Sequence, residues 1–105
     1  MKKYAIVYVT VPNKRLGVKI GKACVESNLV ACSNIIEGVT SIYKWQKKLC
    51  QEKECILIMK TIQKNSADII KKVQALHTSQ CPCILTLPIL GGNEAFLDWI
   101  SNCLK

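Results

Sequence analysis

The segment HTSQCPC, residues 77–83, holds the densest group of chemically capable side chains in the chain. It contains the only histidine and two of the seven cysteines among 105 residues. Two thiolates and an imidazole form a soft ligand set that suits copper(I) or zinc. His77, Cys81 and Cys83 are therefore the candidate metal ligands of this sequence.

Two other interpretations of this segment stay open. In the first, His77 sits at the C-terminal end of a helix, where an imidazolium is favourable, and both cysteines pack as small apolar residues. In the second, His77 activates a neighbouring thiol as a nucleophile, but no oxyanion donor or orienting acid is recognisable. With one histidine and no carboxylate pair in a recognisable motif, we expect a protein that is not an enzyme.

Lys60 is the centre of a second candidate site. It lies on the same predicted strand face as Ile56 and Ile58, so its aliphatic stem should be partly buried. Its ammonium either reaches solvent at the strand end or meets an anionic ligand in a cleft between subunits. The side chains assigned to that cleft with Lys60 are Tyr43, Trp45, Cys32 and Asn34.

Those four side chains also have simpler structural interpretations. Tyr43 and Trp45 are typical aromatic anchors of a subunit interface, where the polar end finds a hydrogen bond. Cys32 and Asn34 would then serve the core and a bend in the chain.

Length and composition predict a single cytoplasmic domain spanning residues 1–105. No apolar run approaches the ~20 residues needed to cross a bilayer, so we expect no membrane partner. The opening MKKYAIVYVTVPNK alternates like a strand and offers no signal-peptide cleavage site. An odd number of cysteines without a C-x-x-C pair favours a reducing compartment.

The net charge of +8 raises the question of nucleic-acid binding. Lysines supply all but one of the 15 basic residues, and only Arg15 has the planar fork that reads bases or clamps phosphate. The lysines are spread along the sequence apart from the cluster Lys44, Lys47 and Lys48. A nucleic-acid footprint is a concentrated patch, so we expect a solvated basic surface and no nucleic-acid partner.

The element order predicts an α+β fold. Period-2 and helical patterns alternate as β-α-β-β-α-β followed by a short helix, which indicates a ferredoxin-like sandwich with both main helices on one face of an antiparallel sheet. Asn13 should cap the first helix, and Asn65 or Ser66 the second. Pro88 indicates that the fourth strand lies at a sheet edge or that the strand ends there. The first four predicted elements are the strand Tyr4–Val11, a helix from Leu16, a strand from Leu29 that bends at Glu37-Gly38, and the strand Leu49–Thr61. They are followed by a helix whose apolar face consists of Ile69, Ile70, Val73 and Leu76, by the strand 83–90, and by a helix after Asn93.

The hairpin formed by the second and third strands is too long for one subunit. Thirteen extended residues span about 43 Å, whereas a thirteen-residue helix covers about 20 Å. The overhang would expose apolar side chains on both faces, and such patches normally mark a partner surface. The pattern therefore predicts a homo-oligomer held by hairpin exchange between neighbours. The overhanging apolar residues are Val39, Ile42, Tyr43, Trp45 and Leu49.

The stretch LVACSNIIEGVTSIYKW resembles the A-x-C-x-N-I…G-x-x-S-x-Y-x-W signature of the CutA family, the divalent-cation tolerance proteins. Other segments of the chain also occur in the family's order, so the resemblance covers nearly the whole chain. These segments are VTVPN, LIMKT, His77 with Pro82, and LP…GN…FLDW. It implies a ferredoxin-like subunit, similar to the PII signalling proteins, that assembles as a homotrimer.

Two departures from the family pattern bear on function. The family segment H-P-Y-E/D-x-P-E reads HTSQCPC here, so Gln80 and Cys83 replace its two acidic residues. Lys47 stands where the family usually has glycine. A thiol at position 83 shifts a metal site toward softer ions.

The expected function is that of a homotrimeric divalent-cation tolerance protein that binds copper or another divalent metal ion. The alternative is a PII-like trimeric signalling or scaffold module, which binds a small anion and an unidentified protein partner at clefts between subunits.

Overall fold

The protein consists of a single antiparallel sheet with helices on both faces. The computed structural model describes residues 3–105. Over those residues the sheet has four strands in the order β2-β3-β1-β4. The elements are β1 (Tyr4–Val11), α1 (Lys14–Glu26), β2 (Cys32–Trp45), β3 (Lys48–Ile62), a 3-10 turn (Gln63–Asn65), α2 (Ser66–Leu76), β4 (Ile84–Ile89) and α3 (Glu94–Cys103). The predicted ferredoxin-like order with an added C-terminal helix is confirmed.

The core lies between one face of the sheet and the helices α1 and α2. Every second residue of β1 and of the later half of β3 points into it, as period-2 alternation requires. Full burial of an aliphatic side chain contributes about 1.5–3 kcal/mol, so burial of this layer stabilises the subunit. Its buried members are Val7, Val9, Val11, Leu16, Ile20, Cys24, Val30, Cys55, Leu57, Met59, Ile69 and Val73.

Strand β1 is central, and β4 lies at the sheet edge. β1 pairs along its length with β3 and from Tyr4 to Val9 with β4. Pro88 lies opposite Ala5 in the edge strand, where a missing N–H donor is tolerated. Of the two alternatives predicted from Pro88, the edge position is the one observed.

Helix α1 is capped and packed as the sequence predicts, but it begins at Lys14, two residues before the predicted start at Leu16. The Asn13 side chain accepts a hydrogen bond from the Leu16 N–H at 2.8 Å, which caps the first turn. Gly21 lies against β2: a Cβ there would be 3.0 Å from the Cβ of Ser33. The hydroxyl of Ser33 also donates to the Gly21 carbonyl at 3.1 Å. The glycine thus permits close contact between helix and sheet.

The predicted start of β2 is wrong, and the predicted cap of α2 is right in position only; both outcomes involve Leu29. β2 begins at Cys32, because the Leu29 and Val30 N–H groups bond to the Cys24 carbonyl and close the end of α1. Asn65 occupies the N-cap position of α2, as predicted, but its side chain makes no capping hydrogen bond. Its amide instead donates to the Leu29 carbonyl at 3.0 Å, beside a 2.6 Å bond from Thr61.

The β2–β3 hairpin extends well past the rest of the sheet. β1 ends its pairing with β3 at Cys55, so residues 48–54 pair only with β2. Seven residues of strand correspond to about 23 Å of overhang, and the molecule's longest dimension is 45 Å. The predicted overhang is confirmed.

A bulge and a tight turn shape this hairpin. The register shifts between Ile36 and Val39, where Gly38 has φ of 75°, so the predicted bend at Glu37-Gly38 is confirmed. The turn at the tip places Gln46 and Lys47 at φ of 49° and 68°. Two successive positive φ values are typical of a type I′ hairpin turn.

The second face of the sheet is only partly covered. α3 lies against one end of it, where Ile100 is buried and the Tyr4 hydroxyl is 2.6 Å from the Ser101 hydroxyl. Elsewhere this face leaves large apolar side chains in solvent, including Leu85 at 56% and Leu87 at 45% exposure. Within residues 3–105, none of the helices has the length and apolar character to cross a bilayer.

Candidate functional site

The segment 77–83 begins where α2 ends. His77 takes an extended conformation, and its N–H donates to the Val73 carbonyl at 2.8 Å, which ends the helix. Its Nδ1 accepts the Ser79 N–H at 3.0 Å, and its Nε2 lies 2.8 Å from the Thr10 carbonyl oxygen. A nitrogen that accepts carries no proton, so in the neutral ring Nε2 is the donor to Thr10. Both ring nitrogens are therefore engaged in holding the loop.

Both cysteines of the segment have anchored backbones. The Cys81 N–H donates to the Ser79 hydroxyl at 3.3 Å. The Thr10 N–H donates to the Cys83 carbonyl at 3.4 Å. Thr10, near the end of β1, thus bonds to both the first and the last residue of the segment, His77 and Cys83.

A cavity of about 750 Å³ lies between this segment and the overhanging hairpin. All of residues 77–83 line it, together with Thr10 and Pro12 at the end of β1. The structure thus brings Tyr43 and Trp45 to the candidate metal ligands, although the sequence analysis had assigned the two groups to different sites. The hairpin side chains lining the cavity are Ser41, Ile42, Tyr43, Trp45, Glu52 and Glu54.

The predicted three-residue metal site is not assembled within one chain. Among residues 3–105, no three or more His, Cys, Asp and Glu side chains are grouped so as to hold a metal ion. Coordination through the imidazole would require His77 to give up its bond to Thr10 or to Ser79. Cys81 is exposed and Cys83 is half-buried, both as free thiols.

Tyr43 is locked to a carboxylate on the neighbouring strand. Its hydroxyl donates to the Glu52 carboxylate, and this bond, with smaller contributions from desolvation and nearby negative charge, raises the pKa of Tyr43 to about 12. The hydrogen bond favours the neutral phenol. Tyr43 therefore presents a neutral ring and no free proton donor to the cavity.

Lys60 lies with Cys32 and Asn34 at the other end of the hairpin. Its ammonium donates to the Asn34 side-chain oxygen at 2.9 Å, and the Cys32 thiol contacts the same oxygen at 3.6 Å. The ammonium also lies 5.6 Å from the centre of the Phe96 ring, within the range of a cation–π interaction. Sequence reasoning missed Phe96 as a functional partner, because α3 is distant in the chain from β3.

A smaller cavity of about 140 Å³ adjoins the Lys60 ammonium at the start of α3. Among the described residues, Lys60 is the one charged residue that lines this cavity. The space suits a small group rather than a nucleotide-sized ligand. The remaining lining residues are Ile6, Ile89, Gly91, Gly92, Asn93, Phe96, Leu97 and Ile100.

The five side chains assigned to one cleft form two separate groups within a chain. Lys60 is paired with Cys32, whereas Tyr43 is paired with Cys50. Ten residues of β3, or about 33 Å of strand, separate these pairs. Only a second subunit could bring the Tyr43 and Trp45 side of the hairpin to Lys60.

The topology and the long hairpin define the class of protein: an α+β fold of ferredoxin-like order with an elongated second hairpin. Residues 5–103 match the family described as CutA1 divalent ion tolerance protein. The chain belongs to this family.

Several similar proteins carry the family's name. The chain is 41% identical to the divalent-cation tolerance protein CutA of Thermus thermophilus, over 90% of this chain and 92% of that protein. It is 39% identical to the chloroplastic protein CutA of Arabidopsis thaliana, over 95% of this chain but 55% of that protein. The chain thus spans about half the length of its plant relative.

Solved structures agree on the fold. CutA1 of Ehrlichia chaffeensis superposes with a TM-score of 0.94 at 30% identity, covering 100% of this chain and 98% of that one. CutA1 of Oryza sativa gives a TM-score of 0.94 at 36% identity, covering 98% and 94%.

Proposed function

We propose that this chain works as a cytoplasmic homotrimer that binds copper or another divalent metal ion and contributes to tolerance of such ions. It does so by binding and not by catalysis. The observation that carries the proposal is the family match over residues 5–103, whose description names divalent ion tolerance. The Thermus thermophilus relative is named for the same property.

The exposed apolar surface supports assembly. Ile42 and Leu49 lie on one face of the overhang and are 65% and 73% exposed. Tyr43 and Trp45 lie on the opposite face, also exposed. Burying such residues against a neighbour is favourable in proportion to the apolar area removed from water, so both faces of the hairpin favour contact with other subunits.

The chemistry of the larger cavity supports a cationic ligand. The thiols of Cys81 and Cys83 and the carboxylates of Glu52 and Glu54 line it, and no lysine or arginine is among its described lining residues. Thiolates and carboxylates are metal-ligand types. In a protein of net charge +8, this local set of acidic groups favours a cation over an anion.

Calorimetric titration of the reduced protein with Zn²⁺ and Cu²⁺ under anaerobic conditions tests the proposal. We expect saturable binding of at least one ion, weakened in His77→Ala and Cys83→Ser. Cys103→Ser, which alters an exposed cysteine on α3, is the matched control. If neither ion binds the wild type, the metal-binding proposal fails. If both variants bind the metal ion like the wild type, the segment 77–83 has a structural role and is not the metal site.

A second candidate, a PII-like module for a small anionic ligand, is favoured by Lys60. Its ammonium adjoins the smaller cavity on the partly covered sheet face. Thermal-shift measurements with small anions should show a stabilising ligand whose effect disappears in Lys60→Ala. Lys53→Ala, an exposed lysine on the same strand, should respond like the wild type. A ligand effect that survives in Lys60→Ala would exclude this site.

A further inference from the structure

The sequence Cys81-Pro82-Cys83 places two thiols at one wall of the larger cavity. Proline fixes its own φ near about −65° and holds the preceding residue in extended conformations. Cys81 lies at a bend, and a single residue, Pro82, separates it from Cys83. Because both cysteines line the same cavity, this short, restricted segment favours the binding of one ion by both thiols with few rotations lost.

The surrounding hydrogen bonds hold this segment in advance of any ligand. His77 joins the loop to the Thr10 carbonyl and to the Ser79 N–H. Ser79 in turn accepts from the Cys81 N–H, and Thr10 donates to the Cys83 carbonyl. Precise support of this kind is what a binding site requires of its outer residues. It also leaves the imidazole without a free nitrogen.

We propose that Cys81 and Cys83 form a two-thiolate site for a soft monovalent metal ion, with copper(I) and silver(I) as the representative ions. In this site His77 is a positioning residue and not a ligand. The inference rests on the proposed metal-binding function and names the class of ion that this chain's own loop selects. Zinc takes four ligands in its structural sites, whereas copper(I) and silver(I) form stable complexes with two thiolates.

The binding step balances without any redox change. Two S–H bonds break, two metal–sulfur bonds form, and two protons pass to solvent, because thiolates and not thiols are the ligands. The ion stays monovalent, and both sulfurs keep their oxidation state. The carboxylates of Glu52 and Glu54 at the same cavity favour entry of a cation.

Three of the other five cysteines are placed for different roles. Cys24 and Cys55 are buried in the core, and burial raises the pKa of the Cys24 thiol, an effect that Lys72 partly offsets. Cys32 contacts Asn34 near Lys60. Cys81 and Cys83 are the two cysteines that line the larger cavity among the described residues.

Anaerobic titration of the full, reduced protein with Cu⁺, in competition with a chromogenic copper(I) chelator, tests the inference. We expect one tightly bound ion per chain and a sulfur-to-copper charge-transfer band in the ultraviolet. Cys81→Ser and Cys83→Ser should each lose this site, whereas Cys32→Ser and Cys103→Ser should keep it. Ag⁺, which has no accessible second oxidation state here, should compete for the same site. Circular dichroism and sedimentation of each variant show that it is folded and assembled.

His77→Ala separates positioning from ligation. It should weaken Cu⁺ binding by about 10- to 100-fold, as loss of an outer-shell partner does. At saturation the charge-transfer band should be unchanged, and X-ray absorption of the wild-type complex should show sulfur neighbours without imidazole scattering. Imidazole scattering, or wild-type affinity in either serine variant, would overturn the inference.

The outcomes distinguish this inference from the proposed function. Binding of Zn²⁺ or Cu²⁺ without any Cu⁺ site at Cys81 and Cys83 leaves the proposed function standing and rejects the two-thiolate site. A Cu⁺ site that requires both cysteines, in a protein that binds neither divalent ion, supports the two-thiolate site and rejects divalent-ion binding.

Discussion

Lys47, in the turn of the long hairpin, has a backbone conformation that favours glycine. Its φ is 68°, and a left-handed conformation costs an L-residue roughly 1–2 kcal/mol, offset in part by the 0.5–1 kcal/mol of chain entropy that glycine loses on folding. We expect Lys47→Gly to raise the free energy of unfolding by about 0.5–1 kcal/mol. Chemical denaturation at one fixed protein concentration measures this, since the stability of an oligomer depends on concentration.

Lys44→Gly is the matched control for this substitution. Lys44 lies in β2 opposite Leu49 and has no positive φ, so glycine there should lower stability by roughly 0.5–1 kcal/mol. Equal effects of the two substitutions would mean that the turn conformation is not the cause.

His77 illustrates how neighbours decide what a reactive side chain does. The sequence placed it correctly at the end of α2 and left ligand and structural roles open. The hydrogen bonds to Thr10 and Ser79 favour the structural role, because a ring nitrogen already engaged must lose a bond before it can coordinate a metal.

Among the elements, the contact between α1 and the sheet depends on Gly21. A Cβ at this position would lie 3.0 Å from the Ser33 Cβ and 3.3 Å from a Leu57 methyl. Alanine gains about 1 kcal/mol in helix propensity, but overpacking costs about 1–3 kcal/mol, and the Ser33 Cβ moves only with the β2 backbone. We expect Gly21→Ala to lower the free energy of unfolding by up to about 2 kcal/mol, measured by chemical denaturation.

Gly91→Ala provides the comparison for this prediction. No atom lies within 4 Å of a Cβ built at Gly91, so the added methyl meets no neighbour. Stability should be unchanged or rise by up to about 1 kcal/mol through the loss of chain freedom in the unfolded state. A Gly21→Ala protein as stable as the wild type would show that α1 can move away from β2 at little cost.

The elements also show why local signals fail at boundaries. Asn13 caps α1 as its residue type predicts, but Asn65 bonds to the Leu29 carbonyl instead of the helix that follows it. A carbonyl 36 residues away in the chain competes with the local partner, and only the folded path of the chain reveals that competition.

At the level of the whole molecule, the overhanging hairpin leads us to expect assembly with other copies of the chain, and the proposed function takes that assembly to be a homotrimer. Ile42→Gln and Leu49→Gln together should reduce the assembled fraction at micromolar concentration, because each removes an exposed apolar side chain from the overhang. Analytical ultracentrifugation of dilute protein measures the assembled fraction directly.

Val25→Gln is the control for assembly. Val25 is an exposed valine near the end of α1 and is not part of the overhang, so this variant should assemble like the wild type. A wild-type protein that sediments as a folded single chain would contradict the proposed trimer and leave no place for a cleft between subunits.

The amino-acid sequence alone determined the order of the elements, the bulge at Glu37-Gly38, the overhang and the family. These follow from local periodicity, from residue types with restricted backbone conformations, and from a signature carried by consecutive positions. Such features depend on near neighbours in the chain, so they can be read before the chain is folded.

Only the tertiary structure decided how the candidate residues are grouped. It joined Tyr43 and Trp45 to the segment 77–83, engaged both ring nitrogens of His77, and placed Phe96 beside the Lys60 ammonium. The residues of the His77–Thr10 bond are 67 positions apart. Contacts over such separations depend on strand order and on the direction of the overhanging hairpin, which no local pattern specifies.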